Sequence, residues 1–226
     1  MLVSYKYKFI FFKTIKTASS SLFSFFTPYC IPDATNFDYN ELDNKYIGFY
    51  KTGIVGDPEC KNSTQLRHVT CSRAKKIVNK IDEKIWKKYY KFCVVRNPWD
   101  LVVSKYYWKV RKEERKNVTF EYFVGILDDG INKMRTRQDL YKMHGKKNNY
   151  VCDFHIKYEK LNNGIKKVCK NCNIKDYDLK NLGQLKSDIR DKSIHYSHHY
   201  NNKTKDIVAK LYSDDIKRFG YEFEKE

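Results

Sequence analysis

The sequence predicts an α/β fold: a central parallel sheet with helices on both of its faces. Three observations carry this reading. Short β-branched and aromatic runs at residues 7–12, 91–95 and 151–158 are separated by amphipathic segments long enough to serve as crossover helices. Two of these runs end in corners of small, polar or proline residues that open a helix. The length of 226 residues suits one domain over 1–226, and no repeat at solenoid or propeller period occurs.

Taken in order, residues 7–12 read as a buried first strand. Residues 20–26 read as a helix whose first-turn serines supply N-cap chemistry. Residues 27–64 hold most of the prolines and mixed polar residues, and are expected to form an irregular excursion with short strands. Over residues 72–88, Ala74, Ile77, Val78, Ile81, Ile85 and Trp86 recur every three to four positions, the spacing of one helix. Residues 91–95 form the second strand, broken at Arg96-Asn97-Pro98, and Pro98 suits the first turn of a helix continuing over 100–112. Residues 119–128 and 138–143 read as helical, 151–158 as the third strand, and 163–172 and 202–219 as amphipathic helices.

Composition narrows the partners. Lys and Arg number 45 against 27 Asp and Glu, a net charge of +18, which points to a polyanionic partner such as a nucleotide, acidic glycan or nucleic acid. A Lys-, Asn-, Ile- and Tyr-rich chain of AT-rich coding has the same bias, so charge alone names no ligand. Seven cysteines, an odd number without dense spacing, argue against a disulfide scaffold. Cys169 and Cys172 form a CxxC with Cys152 and His155 upstream, but the spacing fits no common zinc finger and scattered reduced thiols are the favoured reading. His195, His198 and His199 are read as polar or anion-facing residues. Three glycosylation sequons, at Asn62, Asn117 and Asn202, are what an asparagine-rich chain produces by chance. The opening residues lack a signal-peptide pattern, and no apolar run reaches the ~18–20 residues that span a bilayer. The expectation is a soluble protein.

The chemistry sits at the two strand-to-helix corners, Lys16–Ser21 and Arg96–Ser104. The first places Lys16, Thr17, Ala18, Ser19, Ser20 and Ser21 where helix N-terminal amides carry partial positive charge, a setting that cradles a phosphate-like group. An ordinary capped helix start with a solvated Lys16 explains the same residues. It is no Walker A loop, since the lysine comes first and glycine is absent. At the second corner Arg96 can grip a phosphate bidentately, Ser104 can complete the grip, and a local pair of Arg96 with Asp100 is the competing reading.

Together, KTASSSL after a strand and FCVVRNPWDLVVSKYY resemble the 5′-phosphosulfate loop and 3′-phosphate signature of sulfotransferases. Those enzymes use 3′-phosphoadenosine 5′-phosphosulfate (PAPS). The closer resemblance is to the carbohydrate branch that includes heparan sulfate 2-O-sulfotransferase, with Ile15 in place of that branch's usual proline. RHVT at 67–70, Gln138–Tyr141 with FHIKYEKL, and the tyrosine-rich segment before DIKRFGYEF extend it over most of the chain.

The resemblance implies a P-loop-like three-layer fold of sulfotransferase type, with PAPS as donor co-substrate and no metal required. It implies Lys16 on the bridging oxygen, the amides of 17–21 with the hydroxyls of Thr17, Ser20 and Ser21 on the 5′-phosphate, and Arg96 with Ser104 on the 3′-phosphate. It implies His68 as the base that takes the acceptor proton, with Arg67 and Gln138 toward the acceptor. Glu41, Glu59 and His144 are rival bases, because related branches use a glutamate. The expected acceptor is a hydroxyl of a glycan, acidic or already sulfated. A lipid, small metabolite or tyrosine peptide is the alternative acceptor. A basic nucleic-acid-binding module is the alternative of another class, and no RNP-like, zinc-finger or helix-turn-helix pattern favours it. The membrane anchor usual in animal glycan sulfotransferases is absent from this sequence, which directs the expectation to a cytoplasmic enzyme of bacterial or viral origin.

Overall fold

In a computed structural model, the apolar N-terminus forms two strands where one was expected. The structure describes residues 1–34, 37–38, 46–60, 68–110, 117–128, 150–183, 190 and 193–225. β1 (Leu2–Ser4) pairs antiparallel with β2 (Phe9–Phe12) through a four-residue turn in which Lys8 takes a left-handed φ of 52°. Within the single domain expected for 1–226, the chain forms two compact units. One comprises Met1–Val95 with Gln138–Leu185, the other Arg96–Arg137 with Lys186–Glu226.

The first unit holds a six-stranded sheet of order β3-β4-β1-β2-β5-β6, where β3 is Gly48–Tyr50, β4 Gly53–Val55, β5 Tyr90–Val95 and β6 Phe154–Lys157. β2, β5 and β6 run parallel, with Phe11 opposite Phe92 and Val94 opposite Ile156. β1, β3 and β4 pair antiparallel, which corrects the all-parallel expectation for that half of the sheet. Connection length is the reason. Two residues join β3 to β4 and four join β1 to β2, whereas a parallel crossover needs a dozen or more.

Strand alternation divides the core between two faces. Phe9, Phe11, Phe92, Val94 and Ile156 share a cluster with Leu22, Phe25 and Phe26 of α1 (Ser19–Phe26). Rings of Phe9, Phe11 and Phe92 lie 5.2–6.1 Å from that of Phe26. Each fully buried phenylalanine contributes about 1.5–3 kcal/mol of transfer free energy. On the opposite face Phe12 meets Trp86 of α3 (Glu83–Lys88) edge-on at 6.3 Å, and α2 (Cys71–Asn79) buries Cys71, Ala74, Ile77 and Val78. The single helix expected over 72–88 is therefore two. Asp82 starts the second by accepting the Lys84 amide at 2.8 Å, leaving Ile81 exposed in the break. Directly after β6, a 3₁₀ turn (Tyr158–Lys160) leads into α6 (Leu161–Asn171), whose buried side adds Ile165, Val168 and Cys169 to the phenylalanine cluster.

The second unit is helical. Asn97 caps α4 (Pro98–Val110) by accepting the Trp99 amide at 3.1 Å, and Pro98 occupies the first helical position as expected. α5 (Phe120–Asp128) follows. The segment expected to be one helix over 202–219 is α7 (Asn202–Leu211), opened by an Asn201/Thr204 capping box, then α8 (Ser213–Phe219), closed by Gly220 in the left-handed region. The chain end is fastened to the start of α4. The Trp99 indole donates to the Lys205 carbonyl, the Asn97 amide to the Glu222 carbonyl, and the Glu224 amide to the Tyr196 hydroxyl. No helix among the described residues is long and apolar enough to cross a membrane.

Candidate active site

The corner after β2 is built from buried hydroxyls. Thr14 donates from Oγ1 to the Val94 carbonyl at 2.7 Å, and its single proton is then spent. The 2.7 Å contact between Thr14 Oγ1 and Thr17 Oγ1 therefore has Thr17 as donor. Ser19 donates its hydroxyl to the Thr14 carbonyl. These bonds tie the corner to the end of β5 and turn the side chains of Thr17 and Ser19 inward, both nearly fully buried. The Thr17 hydroxyl, expected on the 5′-phosphate, is thus engaged with Thr14 inside the protein.

That backbone has an uncommon shape. Lys16 and Ala18 both take left-handed φ, 59° and 54°, and Thr17 between them does not. Alternation of hand of this kind turns successive N–H groups toward one side, an anion-binding concavity. Ala18 occupies the N-cap of α1, and no side chain caps that helix, so the serine caps expected from the sequence are absent. Each left-handed L-residue costs about 1–2 kcal/mol. Two such costs in three residues, with no glycine to relieve them, are characteristic of a functional site. Ser20 is half-buried and Ser21 nearly covered.

His68 joins this corner. Its Nδ1 lies 3.1 Å from the Lys13 carbonyl. A carbonyl only accepts, so Nδ1 donates its proton in this contact. Burial of Val69 and the Thr70 cap on α2, which accepts the Arg73 amide at 3.3 Å, hold the segment carrying His68. Of the rival bases, Glu59 is engaged elsewhere, accepting two hydrogen bonds from Lys80 at 2.8 and 3.0 Å and one from Arg73 at 3.1 Å. The Lys80 hydrogen bond is the main cause that holds its carboxyl below the usual range, which weakens it as a base. Glu41, His144, Arg67 and Gln138 lie outside the described residues.

In the second unit Arg96 and Ser104 stand at the start and two turns along α4. Arg96 is nearly buried, and its Nε donates to Asp100 Oδ2 at 2.6 Å. Asp100 also accepts from Arg190 Nη1 at 2.5 Å through its other oxygen, and Arg190 Nη2 reaches the Ile194 carbonyl at 2.9 Å. Burial raises the Asp100 carboxyl, and the two guanidiniums outweigh that effect, holding it below the usual range. The local pair weighed from the sequence is thus real, and it orients the Arg96 guanidinium. Ser104 is half-buried. Arg190 was missed by the sequence reading, because it lies in a mixed-charge run without periodicity.

Two of the three neighbouring histidines are pins. His195 Nδ1 accepts the Ser197 amide at 3.4 Å, and His199 Nε2 meets the Tyr107 hydroxyl at 2.8 Å. Burial, with Arg190 close by, lowers the pKa of His199 and favours its neutral form. Those two accordingly fit the polar alternative of the sequence reading.

Comparison with known proteins bears on the chain as a whole. An uncharacterized protein of Archaeoglobus fulgidus is 34% identical over 98 residues, covering 42% of this chain and 76% of that protein. No solved structure matches the chain. The profile of the sulfotransferase family matches residues 1–222, nearly the full length, and the chain accordingly belongs to that family of sulfuryl-transferring enzymes.

Proposed function

We propose that this enzyme moves a sulfuryl group from PAPS to a hydroxyl of a carbohydrate acceptor. Lys16 neutralises charge on the bridging oxygen as it leaves. The amides of residues 17–21 with the Ser20 and Ser21 hydroxyls hold the 5′-phosphate, and Arg96 with Ser104 holds the 3′-phosphate. Arg67 and Gln138 are assigned to the acceptor by resemblance alone.

The acceptor oxygen forms its bond to sulfur as the bond from sulfur to the bridging oxygen breaks, and 3′,5′-ADP leaves. The acceptor proton goes to His68 Nε2. General-base help of this kind is worth about 10²–10⁴-fold. In-line transfer of this type depends mainly on positioning and charge stabilisation. The observation that carries the proposal is the 3.1 Å contact of His68 Nδ1 with the Lys13 carbonyl. It orients the imidazole at the strand end that leads, three residues later, into the left-handed lysine. The +18 charge favours an acidic or sulfated glycan over a neutral acceptor.

The test is transfer of radiolabelled sulfate from PAPS to a panel of glycans, lipids, small phenols and tyrosine peptides. The expected result is labelling of a glycan, with His68→Ala losing turnover by at least ~10²-fold while 3′,5′-ADP binding by calorimetry is kept. Parallel loss of binding and turnover makes His68 structural. Labelling confined to a peptide or lipid overturns the carbohydrate assignment.

A further inference from the structure

Three potential soft-metal ligands meet on the sheet face opposite the phenylalanine cluster, all within the first unit. Cys93 of β5 and His155 of β6 are direct partners in the parallel register. Cys152 stands two residues before β6. The Sγ atoms of Cys93 and Cys152 and a ring nitrogen of His155 all lie within 4.8 Å of one another. Cys93 is fully buried, Cys152 nearly so, and His155 half-buried beside the ring of Tyr150. The CxxC suggested by the sequence takes no part. Cys169 and Cys172 belong to the phenylalanine cluster on the other face, so Cys152 and His155 find their partner across the sheet in Cys93.

We propose that Cys93, Cys152 and His155 bind one zinc(II) ion that fastens β6 to β5. Donor chemistry argues for zinc: two thiolates and an imidazole suit a borderline-soft ion and match poorly with magnesium or calcium. Charge argues the same way. Two thiolates cancel the dication, so the centre is neutral and tolerates burial. Zn–S bonds near 2.3 Å and Zn–N near 2.0 Å set tetrahedral edges of about 3.5–3.8 Å. Side-chain rotations that close about 1 Å complete the three-ligand set, and a water fills the fourth position. The benefit is mechanical. Among the described residues β6 is the last strand of the sheet and pairs only with β5, and Cys152 sits in the segment leading into it.

The test uses the whole protein, purified under a phosphine reductant that keeps the thiols reduced, with cobalt(II) as probe and zinc(II) as competitor. The expected result is one equivalent of cobalt with an intense near-ultraviolet thiolate charge-transfer band that zinc bleaches. Cys93→Ser and Cys152→Ser lose the band. His155→Gln, a milder change on the half-buried edge strand, weakens cobalt binding at least ~10-fold by analogy with the loss of groups that support a metal site. Cys60→Ser keeps the band. Zinc raises the melting temperature of the wild-type protein, and His155→Gln loses that rise. Absence of the band in folded wild-type protein overturns the proposal. So does a band that survives Cys152→Ser or disappears in Cys172→Ala.

Discussion

Replacing Lys16 by glycine and by alanine separates the shape of the corner from its charge. Both substitutions delete the ammonium, and they differ only in how each residue tolerates φ near 59°. Alanine keeps the cost of the left-handed region, about 1–2 kcal/mol. Glycine escapes it but loses about 0.5–1 kcal/mol more conformational entropy on folding. The difference leaves Lys16→Gly more stable than Lys16→Ala by about 0.5–1 kcal/mol. In a chain of this size that raises the melting midpoint by about 1–4 °C. Differential scanning fluorimetry reads the midpoint, and sulfate transfer from PAPS reads the chemistry. Both variants should lose at least ~10²-fold in turnover, the usual scale for removing a group that stabilises developing charge. Ala18→Gly, with the same relief at φ 54° and no charge removed, should gain stability and retain turnover. Equal midpoints for Lys16→Gly and Lys16→Ala would refute the strained corner. Near-wild-type transfer by either Lys16 variant would refute the role of the ammonium.

Asp100→Asn leaves the guanidiniums of Arg96 and Arg190 in a largely buried setting without their shared counter-charge, and should destabilise the protein by about 3–5 kcal/mol, read by urea unfolding. The folded Asp100 carboxyl titrates below its unfolded value, so its contribution is fully present above the unfolded pKa of about 3.9 and disappears as pH falls through the lower folded pKa. The wild-type and Asp100→Asn stabilities should accordingly converge in acid, and a gap that stays constant down to strong acid would exclude this pair. Arg96→Ala should weaken 3′,5′-ADP by about 10–150-fold, the worth of about 1.5–3 kcal/mol for a charged hydrogen bond, and 5′-AMP far less, by calorimetry. Equal losses for the two ligands move the 3′-phosphate elsewhere. Gly164→Ala sets a Cβ 2.4 Å from Ile156 Cγ2, an overpacking that should cost about 1–3 kcal/mol by urea unfolding, and an unchanged midpoint would show that α6 shifts away freely.

The parts legible in the sequence were those whose cause lies within a few neighbouring residues. Phe9–Phe12 and Tyr90–Val95 declared themselves because a buried parallel strand is largely apolar along its length, and Phe154–Lys157, buried only at Ile156, by its aromatic and β-branched residues. Asn97-Pro98 announced α4 by chemistry that acts within one turn. Of the antiparallel half only short strands somewhere in 27–64 were legible, and Leu2–Ser4 escaped, for the complementary reason: Leu2–Ser4, Gly48–Tyr50 and Gly53–Val55 are three residues each, too short for alternation to fix their bounds, and only pairing with one another makes them strands. In residues 72–88 the apolar spacing at Ile77, Val78, Ile81 and Ile85 continues through the break. The Asp82 cap, one side chain bonded to one amide, outweighs it.

The same division runs through the candidate site. Lys16, Arg96 and Ser104 became candidates because order along the chain marks them, and His68 because its neighbours do. The bonds that hold those residues in place were hidden. The hydroxyl chain from Ser19 and Thr17 through Thr14 to Val94 spans 80 positions at its last bond, and Arg190 reaches Asp100 across 90. Bonds of that reach depend on strand register and helix placement, which no local pattern encodes. The left-handed corner belongs to the same class. Lysine and alanine carry no signature of positive φ, so the strain at 16 and 18 is imposed by the bonds on either side and not chosen by the residues. A glycine at 16 would sit there at lower cost and could not present an ammonium. Under the proposed role, that ammonium is the reason a lysine stands at that angle.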